Sequence, residues 1–152
     1  MESWKLPWDG GCRCGATRIR VVSPPLMTFA CHCRGCQRMS ASAYSLTVAV
    51  PSAGFQVIEG EPVLGGEGRD MHHFCPRCMT WMFTRPPGFD WLVNLRAPVL
   101  DAHQWVVPFL EMYTAEGYQW AKTPAPHSFE TEPDPAGWKE LIDAFAAVGA
   151  RP

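Results

Sequence analysis

Cys31-His32-Cys33-Arg34-Gly35-Cys36 packs three thiols into six residues. The reading of this stretch decides what kind of fold the chain builds. Buried free cysteines behave as small hydrophobes and scatter singly; a triple this dense has another purpose. Working outward, Cys12-Arg13-Cys14-Gly15 lies upstream and Cys75-Pro76-Arg77-Cys78 downstream, and the three clusters together hold all seven cysteines. Seven is odd, so a fully paired disulfide framework does not fit. A Cys-x-x-Cys redox dithiol belongs in a βαβ setting, which the sequence lacks.

Metal binding fits the spacing. Two thiolates two or three residues apart at a tight turn can grip one ion with sulfur ~2.3 Å away, and two such pairs from distant segments close a tetrahedron. Gly15 and Gly35 are read as supplying positive φ at the knuckles, and Pro76 as pre-setting the Cys75–Cys78 turn. The count divides into four and three. Cys12, Cys14, Cys75 and Cys78 are two simple pairs and form a closed structural zinc site. Cys31, Cys33 and Cys36 form a second zinc site with one open corner. A competing partition has Cys75, Cys78 and two sulfurs of the triple sharing a single structural zinc.

Three thiolates on a divalent ion leave the site near −1. Such a zinc is a weak Lewis acid, yet soft enough to accept a fourth sulfur. Its natural occupant is a substrate thiol held as thiolate, which points to carbon–sulfur chemistry rather than hydrolysis. Arg34 and Arg38 are candidates for holding substrate carboxylates, since guanidinium binds them bidentately. Gln37 is a candidate carbonyl contact. His32, between two ligands, either donates a proton or points to solvent.

The flanking sequence reads as mainly β. Short runs rich in β-branched and aromatic residues, such as Thr17–Val21, Met27–Ala30, Tyr44–Val50, Phe55–Glu59, Met71–Phe74, Thr80–Thr84, Trp91–Leu95 and Trp105–Met112, are separated by turn signals. Fifteen prolines and 13 glycines in 152 residues argue against a long-helix bundle. Trp81, Phe83, Trp91 and Trp105 are read as core, with a pocket wall as the second reading. Thr123–Pro135 runs extended over the surface. A terminal helix follows, over about residues 134–149, with Asp134 as cap, Pro135 in its first turn and Gly149 at its end. Its apolar stripe is Trp138, Leu141, Ile142 and Phe145. It packs on the sheets or forms a homodimer contact.

The formal charge is −2, which speaks against a nucleic-acid partner. Residues 1–38 nevertheless carry +4 and the remainder −6, so the cysteine-rich end attracts small anions. No apolar run is long enough to span a membrane, and Met1–Gly10 does not read as a secretory leader. The expectation is one soluble, cytoplasmic domain over residues 1–152.

Three motifs carry a resemblance: Gly11-Cys-Arg-Cys-Gly15, the Cys31–Cys36 triple and Phe74-Cys-Pro-Arg-Cys78, in that order and separation. Gly60-Glu61-Pro62, Leu100-Asp101 and the Trp120 region add to it. Over about residues 8–132 the chain resembles the glutathione-dependent formaldehyde-activating (GFA-type) family. That resemblance implies an Mss4-like β-tent of stacked antiparallel sheets. It implies two zinc ions per chain, on the same four and three cysteines; a three-ligand site can lose its ion on purification. It implies a zinc-dependent carbon–sulfur lyase joining glutathione and formaldehyde into S-hydroxymethylglutathione. Where the family commonly has glycine, this chain has Met79 and Ala41; a larger residue there restricts φ. The rival reading is a non-catalytic zinc-binding scaffold for a protein partner.

Overall fold

The apolar, β-branched segments pair into two sheets because each can bury one or both faces only against another. The computed structural model describes residues 2–65 and 71–152. In chain order the strands are β1 (Trp8–Gly11), β2 (Arg18–Val21), β3 (Met27–Cys31), β4 (Ser45–Pro51), β5 (Phe55–Glu59), β6 (Val63–Gly65), β7 (His72–Phe74), β8 (Trp81–Thr84), β9 (Leu92–Arg96), β10 (Leu110–Met112) and β11 (His127–Ser128). β1, β2 and β5 form one small antiparallel sheet. The others form a second, in the order β11-β10-β3-β4-β9-β8-β7-β6.

The architecture is mainly β with a C-terminal helix, as expected. It is not antiparallel throughout: β10 runs parallel to both β3 and β11. Long connections lead into both parallel pairs, as parallel pairing requires, while short stretches of chain join β1 to β2, β6 to β7 and β7 to β8. The strand expected from Trp105 shrinks to Leu110–Met112. Val106 N–H closes a turn on the His103 carbonyl, and Pro108 has no N–H to give a ladder.

The core lies where the sheets and the terminal helix meet. All five residues of β3 are buried, with Val48 and Val50 of β4, Ile19 and Val21 of β2, Phe55, Phe83, Val93 and Leu95. Asp134 caps a 3-10 turn, Pro135–Gly137, that leads into α2, Trp138–Val148; α1 precedes it in the chain, at Arg34–Ser40. α2 buries Leu141 and Phe145, and the Phe145 ring meets Phe109 at 5.6 Å and Trp4 at 5.9 Å. Trp81 and Phe83 are core, and Trp105 packs on Trp8 at 4.9 Å from a loop. Trp91 departs from expectation: it is 53% exposed, just outside β9. The tail is extended but tied down, through β11 and through Thr123, whose N–H and hydroxyl both donate to the buried Glu111 carboxylate.

α1 was not anticipated. It begins immediately after the second sulfur of the triple because Cys33 caps it, its Sγ accepting from Cys36 N–H at 3.3 Å. Gly35 therefore sits in a helix rather than at positive φ, while Gly15 does adopt φ 81°. A run free of Gly and Pro from Cys36 to Tyr44 is the signal that marks it.

Candidate metal centres and the cavity between them

Two knuckles build the four-cysteine cluster. The first follows β1, where Gly15 N–H bonds the Cys12 carbonyl and Thr17 N–H points at Cys12 Sγ, 3.3 Å away. The second follows β7, where Met79 N–H bonds the Cys75 carbonyl. Arg13 N–H donates to the Thr80 hydroxyl at 3.1 Å, linking the two turns. The cluster thus joins the small sheet to the large one.

Cys12 Sγ lies 3.6 Å from Cys14 Sγ, which lies 3.9 Å from Cys75 Sγ. Sulfurs ~2.3 Å from a tetrahedral ion are about 3.8 Å apart, so the donor set fits zinc. All four sulfurs lie within 4.8 Å of one another, as do those of Cys31, Cys33 and Cys36. None of the seven is cross-linked. The geometry therefore groups four and three, and the partition that mixes Cys75 and Cys78 with the triple finds no support.

The triple sits at the junction of β3 and α1. Its sulfurs share charge unevenly: thiols of Cys31 and Cys36 donate to Cys33 and bring it down to about 2, while Cys33 and Cys36 together with burial push Cys31 far up. In the other cluster, the Thr80 hydroxyl lowers Cys78 to about 5.

Register decides what stands beside the triple. Cys31 pairs across to Ser45, and Thr47, two residues on, pairs with Arg96. These side chains share one face of three adjacent strands. Arg96 is only 8% exposed. Its guanidinium lies 4.2 Å over the Trp81 ring and donates to the Ser45 hydroxyl and the Asn94 carbonyl. Burial lowers it to about 10, against the pull of Cys36, Cys31 and Cys33. Nothing in the sequence pattern around Arg96 separates it from an ordinary strand-end arginine.

A cavity of about 1030 Å³ is lined by Cys12 of the four-cysteine cluster and by Ser45 and Arg96, the neighbours of the triple, but by no sulfur of the triple itself. Cys12, Arg13 and Thr80 wall one side; Ser40, Tyr44, Ser45, Trp81 and Arg96 wall the other, with Lys122 and Trp120 at the rim. It has three cations and no acid in its lining. Ser42, Ala43 and Trp120 are shared with an outer groove that carries Arg34, Gln37 and Arg38. Arg34 and Arg38, both exposed, thus line this outer groove and not the cavity itself. Gln37 spends its amide nitrogen on the carbonyls of His32 and Glu116. His32 does not point to solvent: it is 2% exposed, faces Glu111 across 3.8 Å and lines a separate pocket.

Comparison with known proteins follows the same cysteines. The sequence profile of the glutathione-dependent formaldehyde-activating enzyme family matches residues 7–116, which hold all seven. The chain belongs to the glutathione-dependent formaldehyde-activating enzyme family. A Halomonas elongata protein bearing the name "Putative glutathione-dependent formaldehyde-activating enzyme" is 30% identical over 103 residues. That match covers 62% of this chain and 66% of the relative, just under two thirds of its length. A crystal structure of a Rhodobacter sphaeroides protein shares the fold, with a TM-score of 0.50 at 20% identity, over 62% of this chain and 88% of that one. The two positions where the family commonly has glycine keep a left-handed backbone here, at φ 59° for Met79 and 49° for Ala41. Among the described residues no helix is long and apolar enough to cross a membrane.

Proposed function

We propose that this chain is a zinc-dependent carbon–sulfur lyase acting on a thiol adduct such as S-hydroxymethylglutathione. The observation that carries the reading is a three-sulfur cluster whose neighbours Ser45 and Arg96 line a cation-bearing cavity, set against a four-sulfur cluster of tetrahedral spacing in the same chain. The family name supports the substrate class, and the residues supply the chemistry.

Bound to three thiolates, zinc would offer a soft site where a substrate thiol stays ionised at neutral pH. The remainder falls to side chains. Cations of the cavity attract an anionic thiol. Arg34 and Arg38 in the outer groove hold carboxylates remote from the sulfur, and the stacked Tyr118 and Trp120 rings, 5.3 Å apart, flank the bound backbone. Gln37 fixes the ligand loop through its two carbonyl contacts. In the forward direction the thiolate sulfur attacks the carbonyl carbon of formaldehyde. A C–S bond forms, the C=O π pair moves onto oxygen, and that oxygen takes a proton from water. The reverse steps release the aldehyde.

Glutathione and formaldehyde also combine unaided, so the test is exchange spectroscopy with ¹³C-formaldehyde on protein of measured metal content. Two zinc ions per chain and faster adduct exchange are expected. Exchange at the uncatalysed rate with both ions present would remove the lyase reading.

A further inference from the structure

Arg96 is the one cation of the cavity that is buried, and among the described residues no carboxylate pairs with it. Its Nε–H has no partner, although two other nitrogens of the same guanidinium are satisfied. The hydroxyl of Thr47, its cross-strand partner, is also buried and unpaired. A buried arginine with a spare donor is costly unless something completes it. Trp81 supports its face through the cation–π contact at 4.2 Å, which fixes the plane of the fork. The sulfurs of the triple are its electrostatic neighbours.

We propose that Arg96 is the anion subsite of the cavity, holding one anionic oxygen beside the sulfurs of the triple. The inference deepens the lyase reading and rests on it for its place in the reaction. Two sources share this chemistry. One is the oxygen of the adduct, which becomes an alkoxide when the C–S bond forms and the π pair shifts onto it. The other is a carboxylate of the thiol substrate. Guanidinium serves either, because two N–H groups in a fixed fork match an anionic oxygen.

A binding experiment without turnover tests the site. In ¹⁵N-labelled, metal-loaded protein the Arg96 Nε–H gives its own resonance, assigned through proximity to the Trp81 ring and by its loss in Arg96→Lys. Formate, titrated as the probe, is expected to shift that signal saturably. A signal unmoved at formate levels far above those of the thiol overturns the subsite, whatever the protein catalyses.

Kinetics then separates the sources, using glutathione and neutral 2-mercaptoethanol with formaldehyde. If the adduct oxygen is held, Arg96→Gln lowers kcat about tenfold for both thiols at steady KM. If a carboxylate is held, KM rises about tenfold for glutathione alone. A formate shift with neither kinetic change overturns the link to this reaction. Metal content and far-UV circular dichroism show whether the variants are folded. The formate titration on the unsubstituted chain decides the subsite even if they are not.

Discussion

The two cysteine clusters offer the same donor atoms on two different frameworks. The four-cysteine cluster is assembled from residues more than sixty positions apart in sequence. It ties β1 of the small sheet to β7 of the large one, with backbone N–H groups turned toward its sulfurs. The triple comes from six consecutive residues at the junction of β3 and α1, with Cys33 capping the helix. It faces a buried arginine and, behind Ser45, an acid-free cavity. A ligand set that spans the fold is placed to hold it together; one drawn from a single turn is free to leave a corner for something else.

The largest effect should come from breaking the spanning cluster. Cys75→Ser is expected to cost more than about 4 kcal/mol, read as loss of a cooperative thermal transition and of one zinc per chain. Cys33→Ser makes the opposite break. Adduct exchange should fall to the uncatalysed rate and zinc content from two to one, while stability changes by only about 1 kcal/mol. If thermal denaturation showed Cys33→Ser to be as damaging as Cys75→Ser, the contrast between the two clusters would be lost.

The two left-handed positions sharpen the comparison further. Glycine relieves the strain of a side chain at positive φ. Met79→Gly and Ala41→Gly should therefore each add about 0.5–1 kcal/mol in urea titration. Ala41 lines the groove of Arg34 and Arg38, so only its replacement should move KM for glutathione, by about twofold.

The smallest effect belongs to an exposed pair near the four-cysteine end. Arg18 holds both oxygens of Asp101, at 3.0 and 2.5 Å. Asp101→Asn should cost about 0.5 kcal/mol or less, given solvent screening. The Arg18 contact holds the Asp101 carboxyl below its ordinary 3.8. The contribution is therefore complete above pH 3.8 and is lost as pH falls through the lowered value. Urea midpoints of variant and parent should differ at pH 7 and converge in stronger acid.

The legible part of this molecule is local. Most of the expected strand segments appear with ends displaced by a residue or two, while β1, β6 and β11, short and poor in β-formers, are not legible in the sequence. Trp105–Val107 failed because a turn and Pro108 interrupt the ladder, which no count of β-formers reveals. α1 was overlooked because the capping group is a cysteine, outside the usual set of cap residues. From its neighbours alone His32 reads as solvent-facing or proton-donating; it is buried against Glu111, which rules out the solvent-facing reading. Trp91 read as core from its type and is exposed because its strand begins one residue later.

Sequence alone determined the local inventory: seven cysteines in three clusters, a mainly β chain and a capped amphipathic helix. These depend on interactions over a few residues, where spacing and side-chain type are sufficient. Only the tertiary structure decided which knuckles meet, and that Arg96 stands over Trp81 beside the triple with a donor to spare. Those facts depend on the register of β3, β4 and β9. Register is set by the pairing of whole strands across the sheet, and a slip of one residue would turn Arg96 to the opposite face.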